Sequence, residues 1–100
     1  MVAYVIAESE HLDTEDVRRY RKLAAASIER HGGRYLARGV TPSVREGEWA
    51  AKNRMVIIEF ASIDEAHAWY DSDEYQAALA SRSTPPRRRM LFVDGVATTS

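Results

Sequence analysis

The sequence predicts an α+β fold with four strands and two helical regions in the order β-α-β-β-α-β. Three observations support this: four short apolar runs rich in β-forming residues, one long amphipathic helix, and a second helical region rich in aromatic residues. The order is a doubled β-α-β unit, which is the ferredoxin-like arrangement. Right-handed crossovers then place strands one and three at the centre of a four-stranded antiparallel sheet, with the helices on one face.

The N-terminal part predicts a strand and a helix. Residues 2–8 are apolar and β-rich, and neither face of this strand is polar throughout, as in a strand covered on both sides. Asp13 or Thr14 can cap the helix that follows, in which apolar residues recur every three or four positions. Glycines 32–33 end it, because glycine accepts the left-handed conformation of a helix C-cap.

The middle of the chain predicts two strands joined by a loop. Residues 34–40 form the second strand and residues 55–61 the third. Pro42 interrupts the second strand, which leaves open whether residues 43–46 continue it after a bulge.

The C-terminal part predicts helix, loop and strand. Residues 64–70 form the second helix, and Ser72 can cap a further helical segment. Residues 90–94 form the last strand, and residues 96–100 are expected to fray.

Composition predicts one domain over residues 1–100 and excludes several classes. The formal net charge is -1, so no long-range attraction to nucleic acid or to an anionic membrane is expected. The chain contains no cysteine, which excludes disulfides and Cys-based metal sites and fits a cytoplasmic location. No apolar run approaches the roughly 20 residues of a membrane span.

The alternation of the strands predicts an uncovered apolar sheet face. With both helices on one side, residues such as Ile6 and Ile57 lie on the other side. An exposed apolar face of this kind usually marks a contact, so a second copy of the chain is the expected cover.

Three motifs resemble one bacterial family. Residues 32–39 (GGRYLARG), 56–62 (VIIEFAS) and 69–75 (WYDSDEY) are similar to its signatures, and Arg82 and residues 93–95 also fit. The family is DUF1330, a domain of unknown function among the dimeric α+β barrels. The resemblance implies a homodimer whose two sheets face each other, and it implies no particular activity.

Two departures from the family pattern concern the backbone. Val40 stands where the family tends to have glycine, and residues 84–89 (TPPRRR) replace a plainer connection to the last strand. The three arginines of this segment are interpreted as charges that discourage edge-to-edge pairing of the last strand.

Glu59 is the first candidate for chemistry, because it interrupts an apolar strand. A carboxylate there can act as a general base or, alternatively, take part in a structural ion pair. Arg38 is the expected partner, and Glu8 is expected at the same end of the sheet. Together they predict either a site for an anionic substrate group or a structural Arg–Glu pair.

Aromatic residues supply the other candidates. Tyr70 is interpreted as a catalytic or ligand-orienting hydroxyl, Tyr35 as a group that orients the ligand, and Ser72 as a possible anion contact at a helix start. The alternative is that these residues cap and pack. The three histidines show no ligand-like spacing, so no metal or cofactor is expected.

Two functions are compatible with these features. The first is a homodimeric, cofactor-independent enzyme for a small anionic or aromatic metabolite, with Glu59 moving a proton and Arg38 holding the anionic group. The second is a non-catalytic binding or accessory dimer in which the Arg–Glu pair is structural.

Overall fold

The computed structural model describes residues 1–96 of the 100-residue chain, so the predicted frayed tail lies outside the described residues from residue 97 onward. The strands and helices are β1 (Ala3–Glu10), α1 (Glu15–Arg30), β2 (Arg34–Val40), β3 (Asn53–Phe60), α2 (Ile63–Asp71), α3 (Asp73–Ala80) and β4 (Arg88–Asp94). The strand order is β2-β3-β1-β4, and the strand pairs are antiparallel. The predicted ferredoxin-like fold, with β1 and β3 at the centre, is confirmed.

Some strand ends differ from the predictions, and the structure decides the question that the sequence left open after β2. β1 runs two residues further than expected, to Glu10, and β4 begins two residues earlier, at Arg88. Residues 43–46 do not continue β2. The register shifts of β2 instead lie before Pro42, between Tyr35 and Ala37 and between Ala37 and Val40.

The helices cover one face of the sheet through the apolar face predicted for α1. Its buried residues, Val17, Ala24, Ser27 and Ile28, recur at helical spacing. Strand alternation turns Val5, Ile58 and Phe60 toward the helices, and these side chains form one core with the buried residues of α2 and α3. Within residues 1–96, no helix combines the length and apolar character needed to cross a membrane.

Two serines set the path of the chain through α2 and α3. The Ser62 hydroxyl accepts from the Glu65 amide and begins α2, while Ser72 separates the two helices. The resulting bend brings Trp69 and Tyr75 into the core, with their ring centroids 4.2 Å apart. Trp69 is anchored because its Nε1–H donates to Ser27 Oγ at 3.0 Å.

Among residues 1–96, no helix lies over the opposite face of the sheet. Its centre is apolar: Ile6 lies between Ile57 and Leu91, and Leu91 is 45% exposed. Two ion pairs lie toward opposite ends of this face, Arg34–Glu59 at 2.9 Å and Arg89–Glu8 at 2.6 Å. We call this surface the open face.

Gly33 sits where α1 returns to the sheet, and we predict that Gly33→Ala destabilises the fold. A Cβ there would lie 2.6 Å from Phe60 Cε1 and 2.9 Å from Ile28 Cγ2, both in the core. Overpacking of this kind costs about 1–3 kcal/mol in the free energy of unfolding, measurable by urea denaturation.

A double-mutant cycle separates this clash from other effects of the alanine. Phe60→Leu removes the ring atoms that the new Cβ would meet, so the double variant should be more stable than the sum of the two single changes predicts. Gly32→Ala is the control without a clash. Gly32 has a φ of 74°, and a Cβ added there would have no atom within 4 Å. Strict additivity of Gly33→Ala with Phe60→Leu would contradict the proposed clash.

Candidate functional site

A cavity of about 380 Å³ lies between α1 and the helix-covered face of the sheet. Its volume is within the range of small-molecule sites. The main chain and side chains around it come from all four strands, from α1 and α2 and from the segment that links α3 to β4. They include Ala7, Ser9, Glu10, His11, Val17, Tyr20, Arg21, Ala24, Ile28, Tyr35, Arg38, Gly39, Arg54, Val56, Ile58, Trp69, Arg82, Pro86, Arg88 and Met90.

The lining of this cavity is strongly basic. Five arginines contribute to it, Arg21, Arg38, Arg54, Arg82 and Arg88, whereas Glu10 is the only acidic residue that lines it within residues 1–96. The formal charge of the whole chain is only -1, so positive charge is concentrated here rather than spread over the molecule. A concave site lined by one sign of charge favours ligands of the opposite sign.

Tyr20 and Arg88, which line the cavity, form a hydrogen-bonded cluster with Tyr75, which lies behind them in the core. The hydroxyl oxygens of Tyr20 and Tyr75 lie 2.7 Å apart. Arg88 donates from Nη1 to Tyr20 at 2.6 Å and from Nη2 to Tyr75 at 3.0 Å. Burial, together with the neighbouring Tyr20, raises the pKa of Tyr75, so this hydroxyl stays protonated at neutral pH. We call this group the tyrosine–arginine cluster.

Arg82 lies beside this cluster with unused donors. Its guanidinium carbon is 4.4 Å from the centre of the Tyr20 ring, a cation–π distance. Its Nε and Nη1 atoms are buried and have no hydrogen-bond partner among residues 1–96. Burial and the nearby charge of Arg88 lower the pKa of Arg82. A buried donor without an acceptor is costly, so this side chain is suited to receive an anionic group.

Tyr35 and Arg38 reach the cavity from β2, as two of the candidate binding residues. The Arg38 guanidinium carbon lies 4.4 Å from the Tyr35 ring centre. Burial raises the pKa of the Tyr35 hydroxyl. Both residues lie on an irregular part of the edge strand β2. Its register shifts twice between Tyr35 and Val40, and Gly39 has a positive φ of 64°.

Glu59 and Glu8 lie on the open face and do not line the cavity. The expected pairing of Glu59 with Arg38 is wrong: Glu59 is opposite Arg34 in the register and accepts from its Nε at 2.9 Å. The start of β2, which holds Arg34, lies beside the end of β3. The catalytic role predicted for Glu59 stays a prediction, and its location is the open face.

Glu8 lies at the other end of the sheet, which corrects the expected proximity to Glu59. Because β1 and β3 are antiparallel, Glu8 is opposite Met55, while Tyr4 is opposite Glu59. Hydrogen bonds from Asn53 at 2.7 Å and from Arg89 at 2.6 Å lower the pKa of Glu8. Its carboxylate therefore has two local partners of its own.

Ser72 and Tyr70 have surroundings typical of capping and packing. The Ser72 hydroxyl donates to the Trp69 carbonyl at 2.6 Å and accepts from the Tyr75 amide at 3.2 Å. Tyr70 packs near Trp69, Tyr75 and Phe92. Neither residue lines the cavity, and their predicted roles in ligand contact remain untested.

The segment that carries Arg82 is tied to the start of α1 by Asp16. Its carboxylate accepts from the Ser83 amide at 2.8 Å, from the Ser83 hydroxyl at 2.9 Å and from the Thr14 hydroxyl at 2.5 Å. The Thr14 bond, followed by the Ser83 bonds, holds the pKa of Asp16 well below its usual range.

Sequence reasoning missed the tyrosine–arginine cluster, although two signals were present. Tyr20 falls on the apolar face of α1, and Arg88 alternates with Met90 and Phe92 on the helix-covered side of β4. The interpretation of all three consecutive arginines as charges that discourage edge-to-edge pairing is therefore wrong for Arg88, whose guanidinium is held by the two tyrosine hydroxyls. Arg89, its neighbour, points to the open face and pairs with Glu8.

Metal-ligating side chains do not cluster in the part of the chain that the structure describes. No group of three or more His, Cys, Asp or Glu side chains is close enough together there to hold a metal ion.

Comparisons with known proteins give a family match and a set of similar folds. The family model described as "Domain of unknown function (DUF1330)" matches residues 2–96. The search of curated proteins finds no significant match. A solved structure of a protein of unknown function from Rhodopseudomonas palustris has 16% identity and a TM-score of 0.69, covering 96% of this chain and 84% of that chain.

Two further structures are provisionally described as antibiotic biosynthesis monooxygenases. The one from Caulobacter crescentus has 19% identity and a TM-score of 0.62, covering 96% of this chain and 91% of that chain. The one from Nitrosomonas europaea has 12% identity and a TM-score of 0.56, covering 98% of this chain and 94% of that chain. At these identities the similarity shows the fold alone.

The contacts of Asp16 generate a pH prediction. A lowered pKa means that the Asp16 carboxylate stabilises the fold above its unfolded pKa of about 3.9, and that this contribution is lost as the pH falls below that value. Asp16→Asn should therefore lower the Tm at pH 7, and the difference from the unsubstituted protein should shrink as the pH is lowered below about 4.

Thermal unfolding followed by circular dichroism between pH 2 and 8 measures this effect. Asp13→Asn is the matched control, because Asp13 begins the same region but pairs only with exposed arginines. A difference for Asp16→Asn that is constant over the whole pH range would contradict the assigned role of the carboxylate.

Proposed function

Because this chain belongs to the DUF1330 family, whose function is unknown, we propose a function from its own geometry. The protein binds a small anionic metabolite with a flat apolar body in the cavity beneath α1 and acts on it as a cofactor-independent enzyme. The observation that supports this most directly is a concave space of about 380 Å³ in which five arginines surround an apolar floor.

The positive charge of the cavity lining favours a negatively charged ligand. Of the five arginines, only Arg21 has a carboxylate within salt-bridge distance among residues 1–96, that of Asp13, so Arg82 and Arg88 have none. Two desolvated guanidinium groups near one tyrosine ring leave an excess of positive charge that an anion would neutralise. Carboxylate or phosphate groups match the guanidinium geometry best.

The apolar floor of the cavity favours a ligand with a flat apolar skeleton. Val56 and Ile58 of β3 and Met90 of β4, with Ala7 of β1 between Val56 and Met90, give an apolar surface, and Tyr35 of β2 also lines the cavity. A flat aromatic or unsaturated skeleton can lie on such a surface, and an extended polar chain would lose its hydration without new partners. The proposed ligand therefore combines one anionic group with a compact apolar ring or chain.

Groups that can move a proton are also present in the lining. Tyr20 and Tyr35 bring hydroxyls to the cavity, and His11 is among the residues that line it. The provisional monooxygenase descriptions of two similar folds are compatible with an enzyme, but they support this by fold analogy only. Binding without turnover is the alternative, with the same cavity as the binding site.

Naphthalene-2-carboxylate and its neutral carboxamide test the binding proposal. We expect the carboxylate to bind at least about tenfold more tightly than the carboxamide by isothermal titration calorimetry, because only the carboxylate pairs with the arginines. Val56→Trp, which fills the cavity, should weaken carboxylate binding by about tenfold or more.

Ala26→Trp is the matched control, since it adds the same side chain at an exposed position of α1 outside the cavity. Equal affinity for the two probes, or binding that survives Val56→Trp, would refute the cavity as an anion site. Mass spectrometry of small molecules released from the denatured protein identifies a native ligand, and its conversion during incubation distinguishes the enzyme from the non-catalytic alternative.

We further propose that the open face is the contact between two copies of the chain. Its apolar centre, formed around Ile6, Ile57 and Leu91, would be covered by the same surface of a second copy. The Arg34–Glu59 and Arg89–Glu8 pairs flank this centre. In the proposed dimer, Glu59 and Glu8 therefore lie at the margin of the contact. Their ion pairs with Arg34 and Arg89 then have the structural role that the second of the two functions assigns to an Arg–Glu pair.

Leu91→Arg tests the proposed dimer. The unsubstituted protein should scatter light as twice the 11.3 kDa chain mass at low micromolar concentration, and Leu91→Arg should scatter as a single chain, because a charge would be buried against its own symmetry mate. Leu23→Arg, on the exposed side of α1, should leave the mass unchanged. A monomeric unsubstituted protein would refute the dimer.

A further inference from the structure

The tyrosine–arginine cluster contains one more hydroxyl hydrogen than it can use. The oxygens of Tyr20 and Tyr75 are 2.7 Å apart, so one hydroxyl hydrogen lies between them. Arg88 donates to both oxygens, and a guanidinium accepts no hydrogen bond. The second hydroxyl hydrogen therefore has no acceptor inside the cluster.

Burial decides which tyrosine carries the unused hydrogen. Tyr75 has 0% exposure and does not line the cavity, so a hydrogen directed away from the cluster there would be buried without an acceptor. Tyr20 lines the cavity and can direct its hydrogen into it. The favoured arrangement has Tyr75 donating to Tyr20, and Tyr20 donating into the cavity.

Arg82 brings a second set of unused donors to the same place. Its guanidinium lies over the ring of Tyr20, and its Nε and Nη1 have no acceptor within residues 1–96. The Tyr20 hydroxyl thus offers a hydrogen, and the Arg82 guanidinium an uncompensated positive charge, at one end of the cavity. The other end, toward β2, holds the Arg38 guanidinium stacked on Tyr35.

We propose that Tyr20 and Arg82 together form the carboxylate-binding end of the cavity. This rests on the proposed binding of an anionic metabolite and adds its orientation and chemical class. The ligand is a carboxylic acid whose carboxylate accepts from the Tyr20 hydroxyl and pairs with Arg82, while its apolar body extends over Val56 and Ile58 toward β2. Tyr75 and Arg88 position the Tyr20 hydroxyl and do not contact the ligand.

A matched pair of substitutions tests the role of Tyr20. Tyr20→Phe and Tyr75→Phe each remove one hydroxyl from the same cluster, but only Tyr20 lines the cavity. Tyr20→Phe should weaken binding of naphthalene-2-carboxylate by about tenfold or more, as expected for the loss of a hydrogen bond to a charged group. Tyr75→Phe should weaken it by less than about threefold, because Tyr20 keeps its own hydrogen.

The Nε–H resonance of Arg82 supplies a second measurement that needs no change at the cluster. In ¹H–¹⁵N spectra of the unsubstituted protein, this resonance should move downfield when naphthalene-2-carboxylate is added, and that of Arg54 should not. Arg82→Gln and Arg54→Gln assign the two signals by their disappearance. If Tyr20→Phe does not fold, the Arg82 resonance decides the question alone.

The outcomes separate this inference from the binding proposal on which it rests. If the probe binds but both tyrosine variants lose affinity equally, or if the Arg54 resonance moves in place of that of Arg82, the carboxylate lies elsewhere in the cavity and the inference is overturned. If naphthalene-2-carboxylate does not bind to the unsubstituted protein, the proposed anion site itself is refuted together with the inference.

Discussion

The contact between Arg88 and the two tyrosine hydroxyls joins three parts of the fold at one point. Arg88 begins β4, Tyr20 lies in the first half of α1, and Tyr75 lies in the first turn of α3. Hydrogen bonds donated by a charged group are stronger than neutral ones. The cluster fixes the position of α1 over the sheet, and thereby the shape of the space beneath the helix.

The two faces of one sheet serve two different purposes. Alternation along β3 sends Val56 and Ile58 to the cavity, and sends Ile57 and Glu59 to the open face. Alternation along β4 separates Arg88 from Arg89 in the same way. A shift of one residue in register would exchange these roles, so the pairing of the strands determines both the proposed ligand site and the proposed dimer contact.

The fold was predictable because its signals are local and repeated. Capping serines, a glycine pair after α1 and the alternation of four strands all act within a few residues, and each agreed with the element order. The side-chain partners were less accessible, because they depend on register. Glu59 was expected to pair with Arg38, but Arg34 at the start of β2 is its partner. Glu8 was expected near Glu59, but β1 and β3 run in opposite directions, so Glu8 lies at the other end of the sheet.

The cavity could be predicted only in part from the sequence. Tyr35 and Arg38 were recognised as candidates for binding, and both reach it. The tyrosine–arginine cluster joins residues separated by 55 and 68 positions, and no spacing rule connects them. Its members also have ordinary structural explanations when read singly: Tyr20 as part of a helix face, Tyr75 as a core aromatic and Arg88 as a surface charge.

The burial of Tyr75 limits where the cavity can change over evolutionary time. This side chain belongs to the core and to the hydroxyl pair at once, with the ring centroid of Trp69 4.2 Å away, so its replacement by a smaller side chain would disturb folding. Arg38, by contrast, is exposed and sits on an irregular edge strand. Divergence of ligand preference among relatives should accordingly accumulate on the β2 side, while the wall beside α3 is held constant by the needs of stability.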